Sequence, residues 1–389
     1  MRKKIIIIVT IILMLGGALY YYFTSQSGKA NVNETKENTQ NKQLEDSNEI
    51  DSKFKDYETY NINLDNKDVT ISKEGIYIIT GTLNGNNITV NTDANVLLIL
   101  DGVTIKSNNP AIYIESAKNA YIKLVNNNKL ECETSDDLDA CIYSKDDLFI
   151  YGSGSLDITS NIDGIASKDD LTIYEGTYNI KSTGDGIKGK DSVTISDGTF
   201  NIDSSETSIK TTNEDEKGDL TITGGSFVLN AANDGIHAKG KLEINAGTFD
   251  IEGVEGLEAT YIVINDGKIN IKASDDGINA TSKSNANTYT VKIEINGGDI
   301  NIEMAQGDTD AIDSNGDIYI NDGKINITAQ SPFDYDGTGE LNGGTLIVNG
   351  EETTSLQNQM MGGPGGMREN MTNGESPSDY NRNAPPERR

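Results

Sequence analysis

Apolar residues in this chain recur in pairs spaced two apart, and the pairs recur every 21–23 residues. The stretch from Asp163 to Ile187 shows one period. It opens and closes on Asp-Gly-Ile and holds two alternations, Leu171-x-Ile173 and Tyr178-x-Ile180, separated by Glu175-Gly176. Aligning on the last residue of the triplet gives a column of Ile112, Ile142, Ile165, Ile187, Ile209, Ile236, Leu257, Ile278 and Ile312. A second column holds Leu148/Ile150, Leu171/Ile173, Val193/Ile195, Leu242/Ile244 and Ile318/Ile320; a third runs from Tyr178/Ile180 to Leu346/Val348. Spacing of i, i+2 is strand spacing. Three short strands per period cannot bury their inner faces alone, but stacked copies can, so the pattern predicts an all-β solenoid, a parallel β-helix with one repeat per coil. Two coils carry insertions, Thr211–Lys217 and Thr281–Thr288, expected as loops on one side of the stack.

The flanks break the period. Residues 1–23 place three basic residues before an uncharged apolar run of bilayer length, which reads as an uncleaved signal anchor in preference to a cleaved signal peptide. Residues 24–55 are polar and charged, the composition of a disordered spacer. Residues 56–350 form the solenoid domain, with irregular first coils before residue 131 closing its N-terminal end. Residues 351–389 lose the period and read as a disordered tail.

Composition narrows the function. Apolar residues make up 35% and aromatics 6% of the chain, lean for a globular core and ordinary for a narrow solenoid. The net charge is −29; residues 56–351 alone hold 50 acidic and 20 basic residues. So acidic a body argues against nucleic acid as a partner and leaves solubility or cation binding as the meaning of the charge. Arginine occurs only at positions 2, 368, 382, 388 and 389, and tryptophan is absent. Cys132 and Cys141 stand near enough in the repeat for a disulfide, although two cysteines do not define a compartment.

In a parallel stack, equivalent residues lie about 4.8 Å apart, so a one-residue feature of the repeat becomes a ladder. The position after the second strand reads Tyr151, Tyr174, Ser196, Thr223, Asn245, Asn265, Asn296, Asn321 and Asn342. Its asparagines read as a structural amide ladder. Tyr151 and Tyr174 are candidate sugar platforms, with packing as the plainer reading. Lys145, Lys168, Lys190 and Lys239 run beside Asp146, Asp169 and Asp191, a pattern expected to neutralise itself; Lys168 and Lys190 are the candidate sugar contacts within it. The acid of the triplet is the column of most interest: Asp163, Asp185, Asp234, Glu255, Asp276 and Asp310, with Asp275 adding a carboxylate and Asp139 one residue off register. Like charges at ladder spacing repel by on the order of several kcal/mol before screening. A turn role, partial protonation or a bound calcium ion could each offset that. His237, the single histidine, is expected to point outward without a catalytic role.

Gly75–Ser107, Ala111–Leu124, Ile142–Ile158 and the Asp-Gly-Ile runs together resemble the bacterial carbohydrate-binding-domain proteins. These have a right-handed single-stranded parallel β-helix, are related in architecture to pectate lyases, and are typified by a clostridial surface protein that binds cellulose and polygalacturonate. The resemblance spans roughly residues 60–350 and implies an extracellular polysaccharide-binding solenoid, membrane-anchored or secreted, with calcium at the acidic triplet positions. The expected function is non-catalytic glycan binding on a long flat β-face that presents Tyr, Asn, Asp and Lys. Acidic glycans would be reached through calcium. A surface adhesin or spacer is one alternative. A polysaccharide lyase is another, weakened because the solenoid body has no arginine to serve as the base that the resemblance implies.

Overall fold

Ile112, Ile142, Ile165, Ile187, Ile209, Ile236, Leu257, Ile278 and Ile312 stand in one parallel hydrogen-bonded column, in the order the repeat predicts. The structure is a computed structural model that describes residues 47–358, apart from 135–137, 139, 216, 284, 286–288 and 308. The second column is continuous from Leu148 to Ile318 and takes in Leu220/Ile222, Ile262/Ile264 and Ile293/Ile295, three coils that the pattern did not assign. The third runs unbroken from Tyr178 to Leu346. Each coil thus gives one strand to each of three faces, and the architecture is a parallel β-helix.

The interior explains the triplet. The triplet's apolar residue, isoleucine in every coil of the column but that of Leu257, points inward and is fully buried. The glycine before it lies against the next coil: a Cβ on Gly186 would sit 2.6 Å from the Ser208 carbonyl oxygen and 2.5 Å from Ile202 Cγ2. At Gly186 a larger side chain would force the neighbouring coil to shift. At the corner between the second and third faces, Gly198 has φ of 129°, a region that favours glycine, and packs over the Phe200 ring. Tyr178, Phe200, Phe227 and Phe249 stack inside the third face with centroids 4.8, 4.8 and 4.6 Å apart. Cys132 and Cys141 are joined in a disulfide across the corner from the third face to the first.

Two expectations about the flanks are corrected. Residues 47–54, read as spacer, form a helix. Ile50 and Phe54, one turn apart, are buried against Leu97, Tyr121 and Tyr151 on the outside of the second face. Asp51 pairs with Lys123 at 2.7 Å and accepts the Tyr151 hydroxyl at 2.8 Å. Burying Ile50 and Phe54 contributes roughly 1.5–3 kcal/mol each. At the other end, Glu351–Thr353 returns antiparallel along Thr345–Val348 and Leu356 is buried, so the fold continues past Gly350 and covers its last edge. The apolar segment at 1–23, the spacer up to residue 46 and the tail from 359 lie outside the described residues. Among those described, no helix is long and apolar enough to cross a membrane.

Candidate functional site

The first face, which carries the triplets, is walled rather than flat. Both insertions leave it at the corner toward the second face, and they meet: the Asn285 amide donates to the Glu214 carbonyl at 2.5 Å, and the Tyr289 hydroxyl donates to Asp219. Lys239 pairs with Glu214 at 3.0 Å beneath them. Side chains that would otherwise face solvent are therefore buried, His237 to 9% exposure.

Two outward columns line this groove. One is the acid of the triplet, with Thr207 filling the coil between Asp185 and Asp234. The other is the residue just after the triplet's apolar member: Tyr113, Tyr143, Ala166, Lys188, Lys210, His237, Glu258, Asn279, Asp313 and Asp334, in direct register. Its character changes along the axis from aromatic to cationic to acidic. Sequence reasoning passed over this column because no single residue type repeats in it. The available signal was positional, an outward polar residue after each buried isoleucine.

In the cationic coils every acid has a cation. Lys188 pairs with Asp163 and lies 3.7 Å from Asp185, and Lys210 reaches Asp185 at 3.2 Å. The acids also hold the next coil's backbone: the Asp185 amide donates to Asp163 at 2.7 Å and the Thr207 amide to Asp185 at 3.2 Å. The turn role expected of these aspartates is thus played between coils rather than within one. Burial raises the Asp163 carboxyl even against the pull of Lys188. His237 is the last cation of the series. Its Nδ1 lies 3.0 Å from Asp234 and 2.5 Å from Glu258, and Lys283 pairs with the other Glu258 oxygen. Burial works against a charged imidazole, but the two carboxylates outweigh it and raise its pKa. Burial would also raise Glu258, yet His237 and Lys283 hold it low. The histidine read as a lone outward side chain is in fact the centre of a buried ion cluster.

Beyond His237 the column itself carries no further cation, and Lys283, from the second insertion, pairs with Glu258. Glu255, Asp275 and Asp276 bring carboxylate oxygens within 4.8 Å of one another, and Asp310 stands in register with Asp276. Asn279 donates to Glu255 and Asp276, at 3.1 Å each, while its own Oδ1 is buried with no hydrogen-bond partner among the described residues. Burial, then the charges of Asp313 and Asp275, pushes Asp276 up to about 7. Burial, then Asp334 and Asp310, pushes Asp313 up to about 6. Glu255 is raised by burial and by Glu258, Asp234 and Asp276. An all-oxygen donor set with an orphaned amide oxygen fits a hard cation such as calcium.

The sugar-contact candidates do not assemble. Tyr151 is buried under the 47–54 helix, so it is no free platform, and Tyr174 packs beside the same cluster. In that strip Tyr121 and Phe149 stack on one another at 4.7 Å, which turns ring edges rather than faces outward. Lys168 lies over the Tyr143 ring, and Lys190 is exposed at the corner where the second face begins, at the opposite end of that face's strands from Tyr174. The lysine–aspartate columns do not pair side by side as expected: Lys145 sits over Tyr113, and Lys217 serves Asp191 at 2.6 Å and Asp169 at 3.9 Å. The asparagine ladder is structural, with amide contacts of 2.8–2.9 Å from Asn245 through Asn342.

A family model described as "Carbohydrate-binding domain-containing protein" matches residues 65–308 and 252–354, which is most of the solenoid. The chain belongs to that family. A relative of the same description from Acetivibrio thermocellus is 33% identical over 129 residues, 30% of this chain and 45% of the relative, so the chain spans less than half of that protein. A solved "polysaccharide lyase-like protein from C. thermocellum", in a gadolinium derivative, aligns with 75% of this chain and 96% of its own length at 24% identity, with a TM-score of 0.34.

Proposed function

We propose that this carbohydrate-binding-domain protein is a non-catalytic, calcium-dependent polysaccharide-binding protein of the bacterial surface. Its groove would take an acidic glycan of the pectate type, and residues 1–23 would tether it to the membrane. The observation that carries this reading is the break in the outward column of the first face. Lys188, Lys210 and His237 each neutralise the triplet acids beside them, and then the column turns to Glu258, Asn279, Asp313 and Asp334. Glu255, Asp276, Asn279, Asp310 and Asp313 would hold the ion. Bound calcium supplies positive charge that can be shared with a uronate carboxylate. Without it the groove repels such a glycan. No arginine lies in the body to act as an eliminating base, which supports binding over cleavage.

Pull-down on polygalacturonate tests this. Wild type is expected to bind in calcium and to be released by EDTA, and Asp276→Asn with Asp313→Asn is expected to lose binding at least tenfold while the fold persists by circular dichroism. Retention unaffected by EDTA would overturn the calcium role. Accumulation of unsaturated uronate, read by ultraviolet absorbance, would make the protein a lyase.

A further inference from the structure

Lys188 and Asp163 meet in a part of the first face that water scarcely reaches. Their side chains are 17% and 8% exposed. Ala166 stands in register with Lys188 one coil earlier, and its short side chain leaves room for the lysine to turn back onto Asp163. Ala140, in register with Asp163, forms a buried apolar cluster with Tyr143 and Ala166 beside the pair. Such surroundings work against both charges. Passing one proton from the ammonium to the carboxylate sets a neutral amine against a neutral acid and changes no total.

The two oxygens of Asp163 have different surroundings. Oδ1 accepts the Asp185 backbone amide at 2.7 Å, the position of an oxyanion donor. Gly184 permits that approach, since a Cβ there would collide with Oδ1. Oδ2 faces the Lys188 amine. A further carboxylate completes the set: Asp185 Oδ2 lies 3.7 Å from Lys188 Nζ, while Lys210 holds Asp185 Oδ1 at 3.2 Å.

We propose that Lys188 and Asp163 condense into an isopeptide bond that staples two successive coils, with Asp185 as the proton carrier. Nζ attacks the carboxyl carbon, and the Asp185 N–H steadies the charge that forms on Oδ1. Asp185 takes one proton from the nitrogen and delivers it to Oδ2; the bond from carbon to Oδ2 breaks and water leaves. One ammonium and one carboxylate thus become one amide and one water, without oxidant, activator or cofactor. Fixed proximity supplies the drive that two free groups in water lack. The ion pair described above is the state before this step, and the Asp185 N–H bond to Oδ1 persists after it.

The next pair along the axis lacks the same equipment. Lys210 and the Thr207 backbone amide both meet Asp185 at Oδ1, and Thr207 stands where its coil would carry the proton-carrying acid. One staple is therefore expected, not two.

Mass spectrometry of a tryptic digest of the full chain tests this. Wild type is expected to give a branched peptide joining residues 146–168 to 182–190, uncut at Lys188 and one water lighter than its two parts. Asp185→Asn is expected to give at least tenfold less of it with an unchanged circular dichroism spectrum, and Lys188→Arg none. Separate wild-type peptides 146–168 and 182–188 would overturn the inference. Full linkage in Asp185→Asn, or a second branched peptide joining Lys210 to Asp185, would overturn the role given to the Asp185 carboxylate.

Discussion

The first face holds two stretches of the same acidic column that solve the same electrostatic problem differently. From Asp163 to Asp234, each carboxylate is buried beside a lysine or the histidine and also accepts a bond from the next coil or a neighbouring side chain. From Glu255 to Asp310, the same repeat position crowds carboxylates together and shifts them toward protonation. Backbone and spacing are shared, so the difference lies in one residue per coil, the one after the buried isoleucine. A repeat that could have placed a lysine there throughout does so for two coils, places a histidine in the third, and then turns to acids and an amide. The first stretch is complete in itself; in the second the column supplies no cation of its own, and the calcium ion proposed above would fill that role.

The largest effect is expected from breaking the completed stretch. Lys188→Met leaves Asp163 buried without its cation, and removing one partner of a buried pair typically costs about 3–5 kcal/mol. Denaturant unfolding should show that loss equally in calcium and in EDTA. Equal stability of variant and wild type would mean that the buried acids are neutral and that the contrast between the stretches is false.

Titration of the open stretch comes next. Asp276 and Asp313 have folded-state pKa values of about 7 and 6, above those of the unfolded chain. The folded state therefore binds more protons between roughly pH 4 and 7, and stability falls as pH rises through that window. The fall from these two groups is on the order of 3 kcal/mol after allowance for solvent screening. Calcium should abolish it by replacing the protons. A melting temperature that is flat with pH in EDTA, or one whose slope is the same with calcium, contradicts the cation-requiring reading.

How much of this was legible beforehand depended on whether a residue type recurs. The apolar columns and the Asn245–Asn342 ladder could be aligned by eye because isoleucine and asparagine repeat at fixed spacing. Asp234, Glu255 and Asp276 fell on one line for the same reason. Lys188, Lys210, His237 and Glu258 share one column but no single residue type, and no periodicity announces that the two insertions meet or that Lys283 of the second pairs with Glu258. The helix at 47–54 was hidden because Ile50 and Phe54 are two apolar residues in a polar tract. Only the outward Leu97, Tyr121 and Tyr151, which break the polar outer pattern of the second face, give them a place to bind. That contact also removed Tyr151 from the sugar-binding candidates.

Converting the open stretch into the completed kind gives a smaller effect of opposite sign. Asn279→Lys places a cation where Lys188 and Lys210 stand in their coils, between Glu255 and Asp276. In EDTA at pH 8 this should raise stability by about 1–2 kcal/mol, since the lysine relieves repulsion without a fully formed buried pair. Calcorimetric calcium uptake should fall at least tenfold. Stabilisation with calcium uptake intact would place the ion elsewhere.

The smallest effect concerns the edge of the cluster. Asp275 contributes an oxygen to the acidic group but is exposed, unlike Asp276 beside it. Charges facing water are screened by solvent and salt, and their pairwise effects are usually below about 1 kcal/mol. Asp275→Asn should therefore leave stability within about 0.5 kcal/mol of wild type. It should lower the Asp276 pKa slightly, since the charge of Asp275 helps to raise it. Calcium affinity is expected to fall only a few-fold at low salt, with the difference fading as ionic strength rises. A loss as large as that of Asp276→Asn, persisting at high salt, would make Asp275 a direct ligand and move the ion from the groove floor to its rim.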